Sequence, residues 1–458
     1  MSKEPLAIVG IACRFPGQVA SPNDFWTLLK TGGDAITEVP ADRWNNQCFH
    51  GGTTPQMRKS VSGSGGFLSQ VDEFDAEFFG MPAKETAQTD PQHRLLLELA
   101  WEALEDAGLV AEDLAGSPTG VFAGISGMDY ALSQLSEMGS IGAHASSGSK
   151  HYLAANRLSY LFDFKGPSIA LDAACATSLI AVDIACQNLW QERCNMALVG
   201  GVNLQLGPQF FVGVSQMGAL SPDGRCKPFS AHANGYGRSD GAALIILKPV
   251  SDAIEHGDPI YAVIRAAETN HGGYNGQGWM VPSQDAQLEL LNRVYSQAGI
   301  DPASIVYLEA HGTGTKVGDR IESAAMGAFI RHHRDPATPL RIGSVKGNLG
   351  HTETAAGLAS LCKVALMFKH REIPPTIHCD PINPDIPFEQ LGLRVVRQVE
   401  ALPDQDQPLV AGVSCFGIGG PMHMWWWRSS LVIASPRPAP CPLNNRPLTS
   451  FRFQPAIR

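Results

Sequence analysis

Short apolar runs alternate with helix-length segments along most of the chain. In the first half, five such runs are bounded by glycine, proline or polar residues, which is the pattern of buried strands. They cover residues 5–10, 120–124, 168–171, 196–200 and 241–247. Because segments long enough for helices separate these runs, the pattern predicts an α/β layered fold.

The most distinct helical segment lies between Asp90 and Gly108. Asp90 suits the capping position, Pro91 fits a first turn, and Gly108 ends the pattern. Apolar residues recur between them at helical spacing, at Leu95, Leu96, Leu99, Ala103 and Leu104. A second helix is predicted over residues 179–185, which are apolar on nearly all sides and should therefore be buried.

The second half of the chain shows a similar order of elements. Strands are predicted at residues 305–309, 340–343 and 410–413, and helices at 321–331 and 354–369. No repeat is visible residue by residue, so a duplicated architecture is inferred from the order of elements alone.

Two stretches depart from this alternation. Residues 32–66 are rich in glycine, proline, serine and asparagine, and they predict a long surface excursion. Residues 421–458 hold five arginines, no acidic residue, three consecutive tryptophans and a proline-rich segment. This composition predicts an irregular tail.

Composition and charge narrow the class of protein. The 458 residues are 44% hydrophobic, enough for a large core, and the formal net charge of −10 argues against a nucleic-acid partner. No apolar run is long enough for a signal peptide or a membrane span, so we expect no membrane association. The ten cysteines show neither the spacing of a disulfide framework nor that of a zinc site, which predicts a cytoplasmic location. The pair His332–His333 lies among charged residues, so we expect no metal site there either.

Cys175 is a candidate nucleophile. It lies between small residues where the strand-like run 168–171 gives way to the helical run 179–185. At a helix start, unpaired backbone N–H groups and the positive end of the dipole favour the thiolate. A single cysteine beside an apolar helix is more often an inert core residue, so the assignment needs further support from the rest of the chain.

Two histidines share the setting of Cys175, in turns of small residues directly after strands. His311 lies in E-A-H-G-T-G-T and His351 in K-G-N-L-G-H-T-E. Strand ends of an α/β sheet are where active sites collect, and three reactive side chains at such ends favour a site. A nucleotide-binding loop is a weaker interpretation of Gly312-x-Gly314-x-x-x-Gly318, because the third glycine is one place late; Asp319 is more simply a helix N-cap.

These motifs, with D-A-A-C-A-T-S-L around Cys175, resemble the three signature motifs of β-ketoacyl synthases. The segments at 8–17, 39–44, 90–98 and 227–230 resemble the ketosynthase domain of modular polyketide synthases, and the resemblance runs from about Glu4 to Gly420. It implies an α/β thiolase-like fold with two similar halves in five layers, as a homodimer. The halves would be residues 1–250, with Cys175, and 251–420, with His311 and His351, followed by the atypical tail 421–458.

The resemblance also implies an acyltransferase that forms carbon–carbon bonds. Cys175 would take an acyl group from a carrier thioester, and backbone N–H groups of Cys175 and Phe416 would form the oxyanion hole. His311 and His351 would bind the malonyl thioester carbonyl and assist its decarboxylation, with two neutral imidazoles donating to the enolate. Lys346 would hold the charge arrangement around His351.

The resemblance extends to the substrate-binding residues and the partners. Thr313 and Thr315 match residues that hydrogen-bond the phosphopantetheine arm, and Phe229 matches an aromatic residue of the acyl pocket. No bound cofactor is implied, since the substrates are carried on the phosphopantetheine of acyl carrier protein. An acyltransferase would act in trans or from a neighbouring domain.

Several alternatives stay open. The chain could serve fatty-acid elongation, or it could be a non-condensing partner, because the residues after Gly420 leave the family pattern and put the last strand in doubt. A closing strand over 422–427 would be weakened by Pro421 and three adjacent tryptophans. A plain thiolase would need a second cysteine as acid/base, for which Cys415 is near the required place, but the paired histidine motifs match the decarboxylating branch.

Overall fold

A computed structural model of the chain describes residues 3–417 apart from 137, 275, 277, 279, 280, 336 and 406, with only the backbone of residue 140. It also describes the backbone of Trp427–Ala434. What the sequence predicts for residues 418–426 and 435–458 lies outside the described residues.

The strands and helices are numbered in chain order. The strands are β1 (Leu6–Arg14), β2 (Ile36–Glu38), β3 (Ser64–Gly66), β4 (Thr119–Gly124), β5 (Ser168–Leu171), β6 (Met196–Asn203), β7 (Gly241–Pro249), β8 (Ala262–His271), β9 (Ile305–Glu309), β10 (Leu340–Gly343), β11 (Glu372–Ile373), β12 (Leu393–Val395), β13 (Glu400–Ala401), β14 (Val410–Phe416) and β15 (Trp427–Ala434). The helices are α1 (Pro22–Lys30), α2 (Asn46–Phe49), α3 (Ala83–Gln88), α4 (Pro91–Asp106), α5 (Asp129–Leu135), α6 (Ala145–Gly148), α7 (Tyr152–Leu161), α8 (Thr177–Trp190), α9 (Gln209–Gln216), α10 (Val250–His256), α11 (Gln284–Ala298), α12 (Gly318–Ile330), α13 (Lys346–Leu349), α14 (Ala356–His370) and α15 (Phe388–Leu391).

Most strands join one mixed sheet, in the order β12-β10-β9-β14-β15-β8-β1-β7-β6-β4-β5 in the described part of the chain. Starting from β1, the neighbours β7, β6, β4 and β5 follow in antiparallel, antiparallel, parallel and parallel pairing. Starting from β8, the neighbours β15, β14, β9 and β10 follow in the same pattern. The strand order therefore repeats, which agrees with the duplication inferred from the sequence. The division near residue 250 stays a prediction that this repeat supports.

Two helices, α8 and α14, occupy the space between the two halves of the sheet. Helix α8 contacts strands of both halves, and so does α14. Every residue of α14 from Ala356 to Phe368 is buried. The two helices cross closely at Gly357, where a Cβ atom would lie 2.6 Å from the side chain of Leu179 and 2.8 Å from Ser178 Oγ. With α4 and α7 on one outer face and α11 and α12 on the other, the molecule has five layers.

The predicted helix after Asp90 is confirmed as α4, and Asp90 caps it by accepting a hydrogen bond from the Gln92 N–H at 2.8 Å. The helix after Cys175 is confirmed as α8. None of the helices in the described part of the chain combines the length and apolar character that a bilayer crossing needs.

The prediction of a surface excursion over 32–66 is wrong in part. The segment contributes β2, α2 and β3, and it buries Val39, Trp44 and Val61 against Phe67 and Phe211. These apolar residues are too scattered in sequence to form a period, so only packing against a distant part of the chain reveals them as a core.

The closing strand also differs from expectation. The sequence predicts an irregular tail with a weakened strand over 422–427, whereas β15 covers Trp427–Ala434 and pairs along its length with β14 and β8. Without β15, the facing edges of β14 and β8 would each carry a row of unpaired backbone N–H and carbonyl groups inside the sheet. The apolar residues 431–434 suit such a central strand.

The position of β15 gives a test by proline substitution. We expect Leu431→Pro to lower the free energy of unfolding by about 1–3 kcal/mol. Proline removes one backbone N–H from the sheet and leaves the carbonyl oxygen of the neighbouring strand without its hydrogen bond. Thermal and urea unfolding measure the loss. Leu431→Ala keeps the N–H and serves as the control; equal stability of the two variants would contradict the pairing.

Candidate active site

Cys175 lies on a tight turn between β5 and α8. The turn is a 3₁₀ segment, Ala174–Ala176, and Ala174 has a φ angle of +52°, in the left-handed region that costs a residue with a side chain roughly 1–2 kcal/mol. The Thr177 hydroxyl stabilises it by accepting from the Ala173 N–H at 2.8 Å and donating to the Ala174 carbonyl at 2.5 Å. Cys175 is half-buried at the start of the buried helix, as the sequence predicts.

The end of β14 supports this turn from the other half of the molecule. The Cys415 thiol donates a hydrogen bond to the carbonyl of Cys175 at 2.9 Å. A Cβ atom at Gly417 would lie 2.5 Å from the Ala173 carbonyl oxygen, so only glycine permits this approach of two backbones. The turn that carries Cys175 and the loop after β14 therefore hold each other in place.

His311 follows β9 and is fixed at its backbone and its ring. The carboxylate of Glu322, on α12, accepts from the backbone N–H groups of His311 at 2.7 Å and Gly312 at 2.9 Å. The ring Nδ1 of His311 accepts from the backbone N–H of Phe416 at 3.3 Å. In a neutral imidazole this leaves the proton on Nε2.

His351 follows α13 and is fixed in a comparable way. Its backbone N–H donates to the Gly237 carbonyl at 2.7 Å, and its ring Nδ1 accepts from the Glu353 N–H at 3.1 Å. Glu353 is anchored by an ion pair with Arg238 at 2.8 Å. The buried Nε2 of His351 has no hydrogen-bond partner in the described part of the chain. The tautomer that these contacts select places a proton on that nitrogen.

The two imidazoles lie together and are held in the neutral form. Their ring centroids are 5.4 Å apart, in an edge-to-face arrangement. Burial lowers the pKa of His311 well below its ordinary value, and the charge of Lys346 and the neighbouring His351 lower it further. Burial likewise lowers the pKa of His351, followed by the charges of Lys346 and Arg238. Both rings are therefore neutral donors at physiological pH.

One cavity of about 520 Å³ brings the reactive side chains together. Cys175, His311, His351 and Phe416 line it, with Thr313 and Thr315 on the loop after His311. The two threonine hydroxyls are 3.2 Å apart. Six of the eight predicted site residues therefore share a single space, although they come from distant parts of the sequence.

The two other predicted site residues lie outside the described lining of this cavity. Lys346 is buried, not solvent-facing, and its Nζ has no hydrogen-bond partner among the described residues. The ring of Phe229 is fully buried against Phe388 in the core of the second half, and its place in an acyl pocket stays a prediction. The ring edge approaches Gly312, where a Cβ atom would lie 3.5 Å from it.

The predicted N-cap role of Asp319 is wrong. Helix α12 already begins at Gly318, so Asp319 lies inside its first turn. Its carboxylate instead crosses to the loops, where it accepts from the Phe229 N–H at 2.7 Å and the Gly314 N–H at 3.2 Å. Burial raises the pKa of Asp319 to about 7 and that of Glu322 to about 7. Two carboxyl groups of α12 thus brace the loop that carries His311.

Sequence reasoning missed a buried ion pair behind both histidines. Glu309 and Lys363 are each fully buried, with Oε2 of the carboxylate 2.7 Å from the lysine Nζ. The Tyr307 hydroxyl donates to the same oxygen at 2.6 Å, and the Val345 N–H donates to Oε1 at 2.7 Å. The only signals in the sequence are a glutamate ending an apolar strand and a lysine inside an apolar helix.

The five layers, the repeated strand order and the cysteine–histidine cavity define the class of thiolase-like enzymes. Within that class, the chain matches the family model "Beta-ketoacyl synthase, N-terminal domain" over residues 3–253 and "Beta-ketoacyl synthase, C-terminal domain" over residues 261–380. Together these models cover most of the chain. The chain belongs to the β-ketoacyl synthase family, which confirms the resemblance seen in the three motifs.

Its relatives are polyketide synthases. The chain is 44% identical over 420 residues to a phenolphthiocerol/phthiocerol polyketide synthase of Mycobacterium tuberculosis, covering 91% of this chain and 22% of that protein. It is 40% identical over 454 residues to the 5-methyl-1-naphthoate synthase of Streptomyces sahachiroi, covering 99% of this chain and 25% of that protein. The chain therefore spans about a quarter or less of these relatives.

Solved structures of similar fold are ketosynthase domains. The oxazolomycin ketosynthase domain OzmH KS7 of Streptomyces albus superposes with a TM-score of 0.90 at 36% identity, covering 97% of this chain and 77% of that one. The ketosynthase from module 6 of the bacillaene synthase of Bacillus subtilis superposes with a TM-score of 0.86 at 34% identity, covering 95% of this chain and 72% of that one. The thiolase-like fold and the polyketide branch of the family are thereby confirmed.

The buried ion pair gives a prediction about stability. We expect Lys363→Met to lower the free energy of unfolding by about 3–5 kcal/mol, because it leaves the Glu309 carboxylate buried without its counter-ion. The double variant Glu309→Gln/Lys363→Met removes both charges and should recover a large part of that loss. Denaturant unfolding measures both, and a double variant as unstable as Lys363→Met would contradict the charge argument.

Proposed function

We propose that the chain catalyses the decarboxylative Claisen condensation of an acyl thioester with a malonyl-type extender carried on acyl carrier protein, in polyketide biosynthesis. The observation that carries the proposal is one cavity holding Cys175 beside two neutral imidazoles whose Nδ1 atoms both accept backbone N–H groups. The family and its polyketide relatives agree with this reaction.

In the first half-reaction, the Cys175 sulfur attacks the thioester carbonyl carbon of the acyl donor. The carbonyl oxygen becomes an oxyanion, the carbon–sulfur bond to the carrier breaks, and the carrier thiol leaves with the proton from Cys175. Backbone N–H groups of Cys175 and Phe416 are the proposed oxyanion donors. The backbone N–H of Phe416 donates to His311 Nδ1, with 3.3 Å between the two nitrogens. A substrate oxygen would have to share this N–H or replace the contact.

In the second half-reaction, the malonyl carboxylate leaves as carbon dioxide and its bonding electrons pass to the thioester enolate. The Nε2–H groups of His311 and His351 donate to the enolate oxygen, and the carbanion attacks the acyl group on Cys175. The bond from the acyl carbon to Cys175 then breaks and regenerates the thiolate. Burial lowers the pKa of both rings, the charge of Lys346 lowers it further, and Lys346 is proposed to act through the rings in this way.

The arrangement disfavours a plain thiolase. That reaction would use Cys415 as the acid/base, but burial raises the pKa of the Cys415 thiol to about 11. The thiol is not among the described residues lining the cavity, and it donates to the carbonyl of Cys175. A positioning role for Cys415 agrees better with these contacts than proton transfer to a substrate.

The partners follow from the same proposal. Thr313 and Thr315 would hold the phosphopantetheine arm, with an acyltransferase supplying the extender from a neighbouring domain or in trans. We also propose a homodimer, supported by β5, which forms one edge of the sheet and exposes Ile169. A cytoplasmic location remains a prediction from the sequence.

Replacing the nucleophile tests the proposal. Cys175→Ala should abolish both the mass increment from acyl thioesters and the condensation product, because the variant lacks the sulfur to which the acyl group would be attached. Intact-mass spectrometry and product analysis measure the two effects, with Cys186→Ala, a buried thiol of α8, as the matched control. Acylation that persists in Cys175→Ala would overturn the assignment.

The second half-reaction has its own test. His351→Ala should slow the release of carbon dioxide from a malonyl thioester by about 10²–10³-fold, as expected for the loss of one oxyanion donor, while Cys175 still becomes acylated. Decarboxylation that is unchanged, with acylation lost, would reverse the role given to His351.

A further inference from the structure

Helix α11 places a polar side chain where its pattern calls for an apolar one. The buried face of α11 carries Leu290, Leu291 and Val294, and the last two pack in the core of the second half. Gln287 lies one turn earlier on the same face and is only 2% exposed. A buried amide usually costs stability unless hydrogen bonds satisfy it.

Among the residues that the structure describes, none satisfies the amide of Gln287. Neither its Nε2 nor its Oε1 has a hydrogen-bond partner in the described part of the chain. The side chain lines the same cavity as Cys175. One donor and one acceptor thus lie buried in the cavity wall without a partner among the described residues.

Several other polar side chains on the wall already bind groups of the protein. Asp319 and Glu322 accept backbone N–H groups of the loops, and the Asn234 oxygen accepts from Lys227 at 2.7 Å. Much of the remaining wall is small or apolar, with Ala219, Pro282 and Phe416 among its members. In such a cavity a single unengaged amide is able to fix the orientation of a ligand.

The burial of the Gln287 amide bears on which part of a substrate it would contact. The rim of the cavity at Val317 is 51% exposed, whereas Gln287 is withdrawn from solvent. Cys175 lines the same cavity, so an acyl group carried on its sulfur would extend into the space that Gln287 borders.

We propose that Gln287 is a specificity-determining residue that selects acyl groups bearing a hydroxyl or carbonyl oxygen over fully reduced acyl groups. This inference rests on the proposed function, because it takes the acyl group to be carried on Cys175. An acyl oxygen accepts from Nε2, and a hydroxyl can instead donate to Oε1. A reduced chain leaves both amide atoms buried and unpaired, which is the basis of discrimination by hydrogen-bonding sites.

The test compares two acyl donors that differ by one oxygen. The N-acetylcysteamine thioesters of 3-hydroxyhexanoic and hexanoic acid are incubated with the full chain, and the rate of acylation of Cys175 is followed by intact-mass spectrometry. We expect the hydroxylated donor to react about threefold to tenfold faster, the size of one neutral hydrogen bond. Gln287→Leu should abolish or reverse this preference by raising the rate with hexanoyl.

A matched control lies on the same helix. Gln297→Leu makes the same chemical change at an exposed position of α11 and should leave the preference intact. Equal rates for both donors in the unaltered chain would overturn the inference, as would an unchanged preference in Gln287→Leu or an equal slowing of both donors. Should Gln287→Leu fail to fold, Gln287→Met takes its place and should show the same loss of preference for the hydroxylated donor. The preference of the unaltered chain is measured in either case. Failure of the proposed function is distinguishable, because neither donor would then acylate Cys175.

Discussion

The active site depends on the contacts that the buried carboxylate of Glu309 makes. It ends β9 two residues before His311, bonds Lys363 in the central helix α14, and accepts the N–H of Val345, the residue before Lys346. One side chain therefore connects the His311 loop, the α13 turn that leads to His351, and the helix between the two halves of the sheet. Removing two charges from water costs several kcal/mol, so this arrangement is stable only because both carboxylate oxygens and the ammonium group are hydrogen-bonded.

The duplicated strand order explains why the reactive residues meet. The segment after β5 carries Cys175 into α8, and the segment after β10 carries His351 into α14, so these residues occupy equivalent places in the two repeats. Because α8 and α14 pack against each other at Gly357, the starts of the two helices converge. His311 enters the same space from β9, next to β10 and β14 in the sheet. The cavity lies where the two repeats face each other.

The sequence was most informative where local chemistry and fold agree. Asp90 and Pro91 predicted the start of α4, and turns of small residues predicted the places of Cys175, His311 and His351, because these signals act within a few residues. Long-range packing was beyond such reasoning. Strand β15 forms because β14 and β8 leave a place for it, and the role of Asp319 depends on Phe229, 90 residues away in the chain. The amide of Gln287 is visible as unusual only once α11 is seen to line the cavity.

The charges around the cavity follow from burial and from one lysine. Burial lowers the pKa of both histidines, and the positive charge of the buried Lys346 lowers it further. The same charge opposes the rise in the pKa of Asp319 and Glu322 that burial causes. Because the imidazoles stay neutral, they present N–H groups without adding positive charge. A carboxylate entering the cavity is therefore attracted by Lys346 but is not fixed by an ion pair with either histidine. In the proposed reaction, loss of the carboxylate as carbon dioxide would move the negative charge to the thioester oxygen, where uncharged donors would stabilise it without having to release a bound anion first.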